Sequence, residues 1–275
     1  MRGEASRIAD RVSRDSLAPK LKATGEDAWR VGNELFAVTD LLDHNIQVER
    51  ALTDPARPAA DKTTMVHTLL GGKAHPMTVE ILDDLVQRRW SKPHDIANAV
   101  EDFGVDAMMY YADATGTTMK VSVELAELHS ALLNMPVVRT RLYDEHSTVE
   151  ARVELLHNVL SGNEISKVTM RLAEHATENP RHRRYLATIQ WLINKLSRHM
   201  GESMVTVTTA APLSDEQVDR LTKIYTKRTG HAVHINSVVD PTVLGGMRVQ
   251  IGHEVNDNTV IAQLNKLKRS VQVTA

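Results

Sequence analysis

From Glu4 to about Met200, apolar residues recur three and four positions apart in segment after segment, the spacing of amphipathic helices. Ala28, Val31, Leu35, Val38 and Leu42 form one such stripe. Ends are legible too. Ser147 and Glu150 stand at capping-box spacing, and Pro93, two residues after Ser91, suits the first turn of the helix that follows. These marks predict a series of short helices and not a continuous coiled coil.

The helical region carries an internal repeat at an offset of about 90 residues. Glu34, Leu35, Val38 and Leu42 match Glu124, Leu125, Leu128 and Leu132, and Val48, Leu52 and Asp54 match Val138, Leu142 and Asp144. Met65, Val66, His67, Leu69, Leu70 and Gly72 then match Leu155, Leu156, His157, Val159, Leu160 and Gly162, with the glycines placed as helix C-caps. Shared helical period alone would not align the caps as well. Two related bundles in tandem are predicted, with Asp95 to Ala112 closing the first and opening the second.

Past Met200 the period changes from helix to strand. Val205 and Val207 alternate with threonines, and Ser214 to Gln217 has capping-box spacing ahead of Val218, Leu221, Ile224 and Tyr225. Val233, Ile235 and Val238, then Met247, Val249 and Ile251, read as two half-buried strands. Between them lie Val239, Asp240 and Pro241, then Leu244, Gly245 and Gly246, with Gly252 beyond; these are predicted to shape a connection around which the two strands pair. A last amphipathic helix begins near Asp257 or Asn258 and carries Val260, Leu264, Leu267 and Val271. The fold class is therefore mainly α: two tandem bundles, 1–112 and 113–200, followed by a small α/β domain, 201–275, of order β-α-β-β-α. A strand, crossover helix and second strand in one sheet would be parallel and right-handed.

Composition narrows the function. The chain has 275 residues and no cysteine, which removes thiol nucleophiles, redox pairs and thiolate metal sites. Its 33 basic and 35 acidic side chains leave a net charge of -2, so nothing marks it for nucleic acid, whose binding rests on phosphate neutralisation. No signal-peptide core follows Met1, and no window approaches the roughly 18 apolar residues of a membrane span.

Motifs for chemistry are missing. Gly71-Gly72-Lys73-Ala74 lacks the earlier glycine and the following hydroxyl of a phosphate loop. The thirteen histidines include no HExxH, and pairs such as His175 and His182 lack carboxylates at ligand spacing, so satisfied or solvated histidines are expected. Arg181 to Arg184 reads as a solvated loop and first turn, with an acidic partner or phosphate as the alternative. Asp43, Asp54, Asp83 and Asp84 read as surface charge. No catalytic residue, cofactor or metal is expected.

The segments TTAAPLSDEQVDRL, VDPTVLGGMRVQIG and NDNTVIAQLNKLKRS together resemble the C-terminal domain of the delta subunit of F-type ATP synthases, the family that includes the oligomycin-sensitivity-conferring protein. Ala211-Pro212-Leu213, Val239-Asp240-Pro241, Leu244-Gly245-Gly246 and Asp257-x-Thr259 occur in family order, whereas the helical region matches only in pattern. The resemblance implies a non-catalytic peripheral-stalk subunit, held at the cytoplasmic face of the cell membrane through its partners. It implies contact with the N-terminus of an ATP synthase alpha subunit and with the C-terminal helices of the b subunits. By the same resemblance the alpha helix would lie between Ala5, Ile8, Ala9 and Val12 on one helix and Val79, Leu82 and Val86 on another, unless those stripes simply face the bundle core. The duplication departs from ordinary members and raises the prospect of a second alpha N-terminus on the second bundle. A helical adaptor outside any ATP synthase is the alternative reading.

Overall fold

The computed structural model describes residues 3–144, 146–181, 183–200, 203–229, 233–240, 243, 245–251 and 254–260. Helices come first: α1 Glu4–Ala23, α2 Ala28–His44, α3 Ile46–Thr53, α4 Ala59–Leu70, α5 Pro76–Gln87 and α6 Asp95–Ala114. They continue as α7 Thr118–Leu133, α8 Pro136–Arg141, α9 Val149–Leu160, α10 Lys167–Glu178 and α11 Tyr185–His199. Then follow β1 Ser203–Thr209, α12 Asp215–Thr229, β2 Val233–Val239, β3 Met247–Ile251 and β4 Glu254–Asp257. The chain is mainly helical with a small four-stranded mixed sheet. It divides into two compact units, 1–121 with 141–185 and 122–140 with 186–275. These bounds differ from those predicted at 112 and 200, because α9 and α10 belong with the first six helices.

In the first unit, Leu17 and Leu21, Val31, Leu35 and Leu42, Leu52, Val66, Ile81 and Leu85, and Val100 and Phe103 form one core cluster drawn from α1 to α6. Each such side chain contributes roughly 1.5–3 kcal/mol of burial. The sequence stripe on α2 is this core face, except that Val38 is only half-buried. The backbones of α2 and α6 approach closely where Gly104 faces Phe36: a Cβ on Gly104 would stand 2.8 Å from the Phe36 ring.

Helix starts follow local chemistry. Thr148 Oγ1 accepts from the Ala151 N–H and Ser166 Oγ from the Thr169 N–H, satisfying donors that a helix leaves open. The first of these lies one residue after the predicted cap at Ser147. Ser214 and Gln217 form the predicted reciprocal capping box, with bonds of 2.9 and 3.3 Å.

Bounds recur along the helical region. Helix α4 at 59–70 is matched by α9 at 149–160, α2 begins at 28 and α7 at 118, and the two 20-residue helices α1 and α6 start at 4 and 95. Side-chain contacts recur as well. His67 Nε2 lies 2.9 Å from Asp83 Oδ2 between α4 and α5, and His157 Nε2 lies 2.8 Å from Glu174 Oε1 between α9 and α10.

The sheet belongs to the second unit and runs β2-β1-β3-β4. β1 pairs parallel with β2 through Val205 and Ile235, and antiparallel with β3 through Val207 and Val249. Val205, Val207, Val233, Ile235, Val249 and Tyr225 of α12 form its core, while Ile224 of the predicted α12 stripe is exposed. The predicted pairing of the two strands around Asp240-Pro241 is corrected: β2 and β3 lie on opposite sides of β1. The connection passes the end of β1, where the Asp240 N–H donates to Thr209 O at 2.8 Å. β4, which the sequence reading missed, pairs with β3 from Ile251 and Glu254 to Arg248 and Asp257. Leu264, Leu267 and Val271 of the predicted last helix lie outside the described residues.

Candidate functional site

Helix α1 presents two unlike faces. Ser6, Ala9, Ser13, Leu17 and Leu21 are buried, while Ala5, Ile8 and Val12 follow one another along the exposed side, Ile8 at 48% and Val12 at 39% exposure. Arg7 and Arg11 flank this apolar stripe and are exposed. On α5, Val79 is half-buried, but Leu82 and Val86 sit in the core of the unit. The predicted groove is therefore divided: Ala5, Ile8 and Val12 are surface, whereas Ala9, Leu82 and Val86 are structural. Leu82 and Val86 face the wrong way because the hydrophobic stripe of a short helix is consumed by its own core.

Leu82 and Val86 instead wall an apolar cavity of about 310 Å³ shared with Val38, Leu52, Val66 and Ile96. Leu41 and Leu69 stand at its rim and are exposed. Glu34 closes one side. Its carboxylate accepts from the His75 N–H at 2.8 Å and the Thr78 hydroxyl at 2.6 Å, so it joins α2 to the start of α5. Burial pushes the Glu34 carboxyl up, but the hydrogen bonds from Thr78, His75 and Arg30 outweigh it and hold it below the usual range.

A charged cluster that the sequence reading missed lies between α6 and the end of α10. Glu101 is 2% exposed and receives Arg181 Nη1 at 2.6 Å, Arg183 Nη2, and His175 Nε2 at 3.2 Å. Burial pushes the Glu101 carboxyl up; the His175 hydrogen bond and the charges of Arg183 and Arg181 overcome this and hold it well below the carboxylate range. Arg181 also meets Asp43 at 2.7 Å, and Asn179 donates to the same carboxylate at 3.1 Å. His175 stacks on Phe36 with ring centroids 3.9 Å apart.

Two expectations are corrected here. Arg181 and Arg183 are not a solvated loop, and Asp43 is not idle surface charge; buried Glu101 recruits all three into one network. His182 lies outside the described residues. The one available signal was Glu101 itself, a carboxylate among the apolar positions of a helix.

Beside the cluster opens a cleft of about 1050 Å³ that includes Asp40, His44, Glu49, Arg152 and Asn179. Its basic side chains are engaged internally. The Arg152 guanidinium donates to four backbone carbonyls, those of Asp144, Ser147, Thr177 and Glu178, at 2.7–3.2 Å. That arrangement fixes loop and helix ends, which carry unpaired carbonyls. Among the described residues no group of three His, Cys, Asp or Glu has metal-holding geometry.

The described residues of the signature lie in and beside the connection between β2 and β3. Val239 ends β2 and is exposed, and the Asp240 carbonyl accepts from the Val243 N–H in a tight turn. Gly246 has φ +80°, and a Cβ there would lie 2.5 Å from Asn258 O, so only glycine fits. Gly245 accepts from the Val260 N–H at 3.1 Å. Pro241, Leu244 and Gly252 lie outside the described residues.

Comparison with known proteins bears on the whole chain. The sequence model of the family "ATP synthase delta (OSCP) subunit" matches residues 105–271. "ATP synthase subunit delta" of Bifidobacterium adolescentis is 70% identical over 275 residues, covering 100% of both chains. The protein of that name from Bifidobacterium longum strain DJO10A is also 70% identical, over 100% of this chain and 99% of its own. The one from Beutenbergia cavernae is 34% identical over 96% of this chain and 97% of its own. With end-to-end relatives and a family match across more than half its length, the chain belongs to the ATP synthase delta (OSCP) subunit family.

Proposed function

We propose that this chain is a non-catalytic peripheral-stalk subunit that ties the catalytic head of an F-type ATP synthase to its membrane-anchored b subunits, so that rotor torque drives ATP synthesis. The observation that carries this is the end-to-end match, at 70% identity, to relatives named ATP synthase subunit delta. It favours the stator reading over a helical adaptor unconnected with the synthase. The subunit is peripheral, joined to the complex by protein contacts at the cytoplasmic face; among the described residues no helix is long and apolar enough to cross a membrane.

The helical region is a duplicated bundle with α6 serving both copies. Matching helix bounds and the paired His67–Asp83 and His157–Glu174 contacts support this. The α1 stripe of Ala5, Ile8 and Val12 receives the N-terminal helix of an alpha subunit, since an amphipathic helix gains most by covering exposed apolar residues. The α/β domain, 201–275, meets the C-terminal helices of the b subunits.

Reconstitution tests the assignment. Synthase stripped of this subunit should hydrolyse ATP without pumping ions, and the purified chain should restore the coupling. Failure of the chain to rebind the stripped complex would refute the stator reading.

A further inference from the structure

Glu49, in the first turn of α3, is 6% exposed and lines the cleft of about 1050 Å³ together with Asp40, His44 and Arg152. Among the described residues no hydrogen bond or ion pair reaches its carboxylate; Asp43 and Arg181 act on it only through their charge. Burial pushes the Glu49 carboxyl up, Asp43 pushes it further, and Arg181 offsets part of the rise. If Glu49 served only to hold the bundle together, an uncharged side chain would serve better, because an unpaired buried charge destabilises the fold. The other carboxylates of the cleft have partners. Asp43 is met by Arg181 and Asn179, and Glu178 by Arg171 at 2.9 Å. Arg181 and Arg183 both reach Glu101, and Arg152 is held by backbone carbonyls. Exposed Asp40 has His44 at 3.3 Å. What the cleft lacks is positive charge at Glu49.

We propose that this cleft binds a primary ammonium group carried on a methylene chain, the ammonium meeting Glu49 and the chain lying against Ile46 and Val149. Ile46 and Val149 line the cleft and are 56% and 40% exposed, so both gain when methylene groups cover them. An ammonium is a compact charge with three donors, which suits a buried carboxylate that has no donor of its own. A bare metal ion would need several such ligands together, and among the described residues no group of three has that geometry. The volume of about 1050 Å³ reaches the upper end of the roughly 300–1,000 Å³ of small-molecule sites. It therefore admits a chain with more than one amine, and leaves Asp40 for a second ammonium. Two sources carry this chemistry: a free polyamine, and a lysine side chain of a neighbouring protein.

The site stands apart from the stator reading and is tested first on the chain alone. Calorimetric titration of the full chain with spermidine, in about 0.15 M salt to screen loose surface attraction, should give saturable binding. Glu49→Gln should weaken it at least about tenfold, since it removes the charge from a buried charge-assisted contact. The same variant should unfold at no lower urea concentration than the parent, because it relieves an uncompensated buried charge; a carboxylate with a structural role would give the opposite result. Asp40→Asn, at an exposed position, should weaken binding about twofold to fivefold. Repeating the titration on synthase reconstituted with the parent or the Glu49→Gln chain separates the sources. A difference between the two that persists there marks a free polyamine, and one that assembly abolishes marks a lysine of a neighbouring subunit. No saturable binding to the isolated chain, binding indifferent to Glu49→Gln, or a Glu49→Gln chain that unfolds at clearly lower urea would overturn the proposal.

Discussion

Replacing Glu101 by glutamine removes one negative charge from a site that holds two arginines and a histidine. The carboxylate is 2% exposed, and the Arg181 side chain only 8%, so water cannot replace what is lost. Breaking a buried ion pair from one side costs about 3–5 kcal/mol, since the surviving charge stays desolvated. Arg181 keeps Asp43 at 2.7 Å, and glutamine keeps some hydrogen bonding, which places the expected loss near the lower end, about 3 kcal/mol. Because the cluster joins the end of α10 to α6, the loss should concentrate there. At about 1.4 kcal/mol per factor of ten, amide hydrogen exchange in α10 should accelerate by roughly 100-fold near neutral pH where it is now slowest. The pH dependence has a definite sign. Glu101 is depressed in the folded chain, so its contribution is present above the unfolded carboxylate value of about 4.3 and is lost as pH falls through the lower folded value. Urea midpoints of the parent and Glu101→Gln should therefore converge as the medium is acidified below that point. An acceleration of less than about fivefold, or a midpoint difference that persists unchanged at low pH, would refute the view that this charge holds α10 in place.

Other substitutions follow from single contacts. Gly104→Ala drives a methyl into the Phe36 ring at 2.8 Å and should cost about 1–3 kcal/mol by urea unfolding. Gly246→Ala combines φ +80° with a backbone oxygen 2.5 Å away; about 2–3 kcal/mol of destabilisation, confined to amide exchange in the sheet, is expected. Glu34→Gln weakens the contacts to the His75 N–H and Thr78 hydroxyl, and should lower stability by about 1 kcal/mol with faster exchange at the start of α5.

Much of the fold was legible because its signals are local. The apolar stripe of α2, the box at Ser214 and Gln217, and the alternation in β1 and β3 each depend on residues a few positions apart. Pairing was not legible. The run containing Asp240 and Pro241 looks the same whether β2 turns back on β3 or crosses the end of β1, since strand alternation specifies a face and not a neighbour. β4 was missed because Glu254, Val255, Asn256 and Asp257 carry little apolar character on an edge strand.

The candidate surface divides the same way. That α1 is amphipathic can be seen in its sequence; that Ile8 and Val12 lie outside while Ala9 lies inside required the packing of α5 and α6 around it. Family membership was readable in the spaced signature of the C-terminal segment. What only the tertiary structure decided was which positions of each stripe are covered and which distant charges meet. Glu101, Arg181 and Asp43 are far apart in the chain, and each is unremarkable until burial makes an unpaired charge costly and so brings them together. Helices declare a face through their own period, but the partner that covers it is chosen by contacts between residues distant in sequence.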